Sequence, residues 1–231
     1  MIYCDDFITT QQEETSCIEK HDEIFKILIE KRMEVSFMMF TKNKTIFGVL
    51  LIAALSIMVT SVTYAYVLKG WKITSALTYR PYNGFASTSI SHMQQSVGKW
   101  NAQAGKTLMT VSSTTHTATN YPSSDGNNYI YRKDVGAGYL AQNTNWYNTS
   151  TWSVVESDIN VNVYYPWANS AQSGCYDVYT VMLHEFGHSV GLGDISSVLS
   201  YDTCVMWYQG QTNKEKRDLK TDDKNGVNAI Y

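Results

Sequence analysis

The stretch His184-Glu185-Phe186-Gly187-His188 places two imidazoles four residues apart, with a carboxylate beside the first. On a helix, residues at that spacing share a face, so His184 and His188 can aim ring nitrogens at one metal ion, for which zinc is well suited. Glu185 then stands within reach of a water at that ion. Zinc brings the pKa of such a water towards neutrality, and a neighbouring carboxylate can take its proton as it attacks a peptide carbonyl. A His-Glu-x-x-His pattern arises by chance in roughly one chain of this composition in 200. Gly191, at its fixed offset, lowers that to about one in several thousand. The glycine also has a mechanical purpose. It lets the helix stop and turn, so that a ligand from the following loop can close a tetrahedral site.

The elements that must position these groups can be read from periodicity. The spacing predicts a helix over Val178 to Gly191, with Gly191 and Gly193 as stop signals. An earlier helix is predicted over Ser87 to Ala104, where Ile90, Met93, Val97, Trp100 and Ala104 recur at intervals of three and four. Strands are predicted over Trp71 to Tyr79, Thr107 to Ser113, Tyr129 to Arg132 and Ser153 to Tyr165. In the last of these Val155, Ile159, Val161 and Val163 share a parity, which suits a half-buried strand. Thr221 to Tyr231 reads as a closing helix, with Thr221 or Asp222 as N-cap. Strands mostly first, with helices at the middle and end, make an α+β domain.

Charge and cysteine content bound the partners and the compartment. From Tyr66 to Tyr231 there are 12 basic and 12 acidic residues, whereas the first 44 hold 6 basic against 9 acidic, the source of the net charge of −3. A neutral domain has no basic footprint, so nucleic acid is not an expected partner. Lys42 and Lys44 precede an apolar run from Ile46 to Val59, followed by Thr63-Tyr64-Ala65. That order reads as a signal peptide over residues 38–65, with translation starting at Met38 or Met39, cleavage after Ala65 and a doubtful extension over residues 1–37. The alternative is a membrane anchor, and membrane association is expected only if the segment stays uncleaved. Cys4 and Cys17 lie in the extension. Cys175 and Cys204 are the two thiols of the exported part (residues 66–231), where an even pair favours a disulfide.

The residues from His184 to Asp194 resemble the zinc motif of the metzincins, and among them the matrixins: His-Glu-x-x-His-x-x-Gly-x-x-His. Val205-Met206-Trp207 resembles the Met-turn beneath the metal, and Asp222 to Val227 with Ile230-Tyr231 resembles the matrixin closing helix. Leu140-Ala141-Gln142 resembles the edge strand that binds substrate backbone, and Asp158 to Asn162 the strand below it. The resemblance covers most of residues 70–231. It implies a metzincin-like α+β fold: a twisted mixed β-sheet, an early helix, a zinc-binding active-site helix, a Met-turn and a C-terminal helix.

Two positions depart from the matrixin pattern. Asp194 stands where matrixins have His, and snapalysin-like bacterial metzincins use Asp there. The resemblance therefore implies His184, His188 and Asp194 as zinc ligands and Glu185 as catalytic base, with Asp202 the nearest rival to Asp194. Tyr208 stands where matrixins usually have Pro. Astacin-like and serralysin-like metzincins place a Tyr that approaches the zinc, which implies an oxyanion donor, against a buried aromatic as the alternative. The function implied is a secreted, monomeric zinc endopeptidase acting on proteins or peptides. The rivals are a zinc-binding protein without turnover and a membrane-anchored surface protein. His92 and His116 lack ligand spacing around them, and Asp125-Gly126-Asn127-Asn128 fits a turn better than a calcium loop, Ca²⁺ remaining an open second ion.

Overall fold

The computed structural model describes residues 2–5, 65–196 and 202–231. The leader or anchor segment, apart from Ala65, and most of the N-terminal extension lie outside the described residues. Among the described residues, no helix is long and apolar enough to cross a membrane.

The main sheet contains β1 (Ile2–Asp5), β3 (Leu77–Pro81), β4 (Met109–Val111), β5 (Asn128–Lys133), β6 (Ala141–Asn148) and β7 (Ser153–Asn162). Their spatial order is β1-β6-β7-β5-β3-β4. Strands β4, β3, β5 and β7 run parallel, while β6 is antiparallel to β7 and β1 antiparallel to β6. The expected mixed sheet is therefore present. Short pairs add β2 (Val67–Leu68) with β10 (Leu192–Gly193), and β8 (Trp167–Ala168) with β9 (Tyr176–Asp177).

Among the described residues, three helices pack with the sheet: α1 (Ser87–Ala104), α2 (Val178–Val190) and α3 (Thr221–Ile230). Parallel neighbours β3 and β4 need a long crossover, which α1 supplies. Met93, Val97 and Trp100 are its buried face, and the Trp100 indole donates to the Leu183 carbonyl of α2 at 2.8 Å. Gly105 closes α1 in the left-handed conformation, φ 66°. α2 buries residues all round, as a helix enclosed by the core does. The N-cap of α3 is Lys220, not Thr221 or Asp222 as expected, with its N–H on the Asp223 carboxylate at 2.8 Å.

Two strand expectations change. Trp71 to Ala76 is not sheet strand: Trp71 stacks on Tyr147 and sends its indole N–H to the His188 carbonyl, so this arm is spent bracing the end of α2. In β7 the predicted parity fails at Val155. Trp146 faces Glu156 and Tyr147 faces Val154, which leaves Val155 as the extra residue of a bulge. Val154 is consequently 3% exposed and Val155 47%.

Past the bulge β7 is buried on both faces rather than one. Ile159 and Val161 join the apolar core. The other face carries Glu156, Asp158, Asn160 and Asn162, which hold the covering loops. Glu156 accepts the Asp125 and Gly126 N–H groups at 2.9 and 2.8 Å, and Asp158 those of Ser123 and Tyr129 at 3.1 and 2.9 Å. Asn162 accepts from Val135 and Tyr164 and donates to the Gly136 and Tyr139 carbonyls. Asp125 to Asn127 thus turns into β5 at Asn128, with Gly126 at φ 80° and the Asn127 N–H on Asp125 Oδ1. Loop amides without water need acceptors, and these strand side chains supply them.

Burial pushes the Asp158 carboxyl up to about 7, against the two N–H groups that favour its charge. A carboxyl raised by folding contributes stability that is present below its unfolded pKa and lost as pH rises through the folded one. Asp158→Asn offers an amide to one of two buried N–H groups and should cost about 1–3 kcal/mol. Denaturant titrations at pH 5 and 8 should also show that wild type loses more stability over this interval than the variant. Equal losses in the two proteins would refute the assignment.

Candidate metal centre

α2 begins at Asp177, whose carboxylate accepts the Thr180 N–H at 3.0 Å and is gripped by Arg217 through Nη2 at 2.7 Å and Nε at 3.1 Å. The helix ends at Gly191, φ 112°, where an added Cβ would overlap the Trp71 carbonyl oxygen. Only glycine fits both that backbone conformation and that approach. The chain then doubles back through β10, so residues 192–195 run beside the face that carries His184 and His188.

Each histidine is fixed through its Nδ1. His184 Nδ1 lies 2.9 Å from the Val205 carbonyl, and His188 Nδ1 2.9 Å from the Leu192 carbonyl. Those contacts place the proton on Nδ1 and leave the Nε2 lone pairs for a ligand. The two Nε2 atoms stand 3.1 Å apart, and Asp194 Oδ1 lies 3.1 Å from the first and 3.7 Å from the second. Among the described residues these three form the one His, Cys, Asp or Glu group whose ligand atoms lie within 4.8 Å of one another. Asp194 Oδ1 is itself buried and lacks a properly directed hydrogen bond. An orphaned carboxylate oxygen facing two imidazole lone pairs suits a divalent cation, and the donor set is that of a three-ligand catalytic zinc site. Without an ion, burial opposes the His184 imidazolium, but the Asp194 carboxylate outweighs it and raises the pKa to about 9. Burial likewise opposes the Asp194 carboxylate, but the two histidines outweigh it and hold the group below the usual carboxylate range.

Beneath these ligands lies the turn Val205-Met206-Trp207. Asp223, wholly buried, accepts the Val205 and Met206 N–H groups at 3.0 and 3.1 Å. The Val205 carbonyl that holds His184 is thereby tied to α3. Met206 packs against α2 at Gly187, where a Cβ would overlap Met206 Sδ and lie 2.9 Å from the Trp100 ring. Ile195 N–H donates to the Met206 carbonyl at 2.8 Å, which anchors the loop just after Asp194.

The other predicted residues are placed as follows. Glu185 is 5% exposed on α2. Tyr208 is 42% exposed beside Trp207, with its N–H on the Ile195 carbonyl, so it is not the buried aromatic of the bland alternative. The Asp202 carbonyl accepts Lys216 Nζ, and Asp202 is not one of the three clustered ligands. Gly193 gives way to Val67 of β2, 2.9 Å from its would-be Cβ, so the close approach it allows is to that strand. His116 is stacked on Tyr129, and its nitrogens are engaged by the Ile130 carbonyl and the Ala118 N–H.

The expected disulfide is not formed: Cys175 and Cys204 are free thiols. Cys204 is packed in the core, where burial and the nearby Asp223 and Asp222 push its thiol up to about 12 and disfavour the thiolate needed for exchange. The start of α2, just after Cys175, is instead tied to residues 216–217 by Arg217 with Asp177 and by the Lys216 N–H on Thr180 Oγ1 at 2.9 Å, and Lys216 Nζ reaches the Cys204 carbonyl. Sequence reading missed Arg217 and Asn143, and took Asp223 only as part of the closing helix. Asp177 was detectable as a capping type before an apolar run, whereas nothing local marked Arg217 or Asn143.

A helix-borne His-Glu-x-x-His, a loop carboxylate and a methionine turn beneath them define the catalytic domain of a metzincin-type metallopeptidase. The sequence model of the family described as Matrixin matches residues 68–231, and the chain belongs to that family. No curated protein matches the sequence. Zinc-dependent cleavage of proteins or peptides is the activity this membership implies.

Gly187→Ala tests the packing under the ligands. The new methyl must displace Met206 or Trp100, and overpacking of this kind costs about 1–3 kcal/mol. Thermal unfolding should show a lowered midpoint with zinc present. An unchanged midpoint would mean that Met206 does not press on the helix.

Proposed function

We propose that the domain is a secreted zinc endopeptidase in which His184, His188 and Asp194 hold the ion and Glu185 is the general base. The observation that carries this reading is the convergence of two Nε2 atoms, from the helix that also bears Glu185, with one orphaned carboxylate oxygen from the loop that follows it. Zinc, when bound, supplies a Lewis acid that polarises the scissile carbonyl and makes water a nucleophile near neutral pH. Glu185 takes the proton of the attacking water and delivers it to the leaving amine. The substrate lies extended along β6 at Ala141 to Asn143, whose outer side pairs with no strand among the described residues. Tyr208 donates to the oxyanion, a role its exposed side chain supports. The basic, apolar and small-residue order before Tyr66 supports export.

Glu185→Gln should keep stoichiometric zinc and lower kcat on an unstructured protein by about 100- to 10,000-fold. A chelator should abolish wild-type activity, and added zinc restore it. Near wild-type turnover in the variant would remove Glu185 from the mechanism. Tyr208→Phe should lower kcat by about 100-fold with little change in KM. An unchanged kcat assigns Tyr208 to its contact with Trp207.

A further inference from the structure

Between the sheet and α2 lies a set of polar side chains with almost no exposure: Tyr79 on β3, Asn143 and Asn145 on β6, Ser157 on β7 and Ser189 on α2. Asn143 is its hub. One amide group, Nδ2, donates to the Glu185 carbonyl at 2.9 Å and to Ser189 Oγ at 2.7 Å. Its Oδ1 accepts from Asn145 Nδ2. Ser189 Oγ also meets Tyr79 Oη at 2.7 Å and Ser157 Oγ at 3.2 Å, three partners for one hydroxyl donor and two lone pairs.

An apolar contact between this helix and the sheet is non-directional and tolerates small shifts along the helix axis. A bond from β6 to the backbone of Glu185 does not. It ties the residue that bears the carboxylate to the strand along which the proposed substrate lies. The second donor reaches one turn further along α2 and blocks rotation as well as sliding.

We propose that Asn143 is a positioning residue for Glu185, setting the height of the base along β6 and hence its distance to a peptide bound on that strand. The inference rests on the peptidase reading of the site. The metal ligands do not depend on Asn143 in the same way, because each histidine has its own carbonyl anchor at Val205 or Leu192. Loss of the Asn143 donors therefore displaces the base while sparing the ion. Misplacement by about 1 Å can cost on the order of 100-fold in rate.

The experiment compares Asn143→Leu, Tyr79→Phe and wild type for zinc content, unfolding midpoint, kcat and KM on one peptide. Tyr79→Phe removes a hydroxyl from the far end of the same network and leaves the Asn143–Glu185 bond in place. Asn143→Leu should bind one zinc, keep KM within about threefold and lose about 10- to 100-fold in kcat, whereas Tyr79→Phe should keep wild-type kcat despite a lowered midpoint. If kcat falls in proportion to stability in both variants, or is unchanged in Asn143→Leu, the role is structural and the proposal fails. If Asn143→Leu does not fold, Asn143→Ala, smaller and without donors, should give the same split. An inactive wild type with zinc bound would overturn the peptidase reading itself, an outcome distinct from either result.

Discussion

Two hydrogen bonds govern the ligand geometry: His184 Nδ1 to the Val205 carbonyl and His188 Nδ1 to the Leu192 carbonyl. Both carbonyls come from chain that follows α2, so the helix cannot present a metal site by itself. For Leu192 to reach back, the helix must end abruptly, which Gly191 achieves at a φ that excludes other residues. For Val205 to stand under His184, the Met206 turn must be held from below, which Asp223 does with both carboxylate oxygens. The glycine, the methionine turn and the closing helix are thus consequences of one requirement, that two imidazoles keep a single tautomer and aim.

The interior around α2 is costly in polar terms. A buried network is stabilising only when its members are satisfied, and here Asn145 Oδ1 remains without a partner. Apolar residues in these positions would pack the helix at least as firmly. What they would not supply is a fixed register between α2 and β6, the two elements that Asn143 joins. The carboxylates of β7 show the same trade on the outer face, where Glu156 and Asp158 exchange solvation for the amides of the loop they hold.

The catalytic motif and the helices were legible because their information is local. Met93, Val97 and Trp100 mark one face of α1, and α1 begins and ends where the spacing puts it. The His and Glu positions follow from the helical repeat, and Gly191 from the turn it must make. What escaped depends on partners distant in sequence. Val155 breaks the parity of β7 only because β6 pairs around it, and Glu156 to Asn162 look half-exposed until loops cover them. Trp71 has the composition of a strand, yet its indole is committed 117 residues away. The disulfide expectation failed for a related reason: cysteine count says nothing of whether a thiol faces its partner or the core.

The same anchors support the proposed role of Asp194, which stands where the matrixin motif has histidine. Leu192 is tied to His188 and Ile195 to the Met206 carbonyl, so Asp194 is bracketed by fixed points one residue after it and two before. A loop held that closely needs only a short side chain to reach the Nε2 atoms, and Asp194 Oδ1 stands 3.1 and 3.7 Å from them. The carboxylate also changes the charge balance. Two neutral imidazoles and one anion would leave a divalent ion held there with a net charge near +1 rather than +2, and would weaken its pull on a bound water's proton. In the proposed mechanism, more of the burden of proton removal would then fall on Glu185. A base that carries more of the reaction tolerates less error in its own placement, which gives a reason for a directional tie at its backbone where apolar packing would have sufficed for stability.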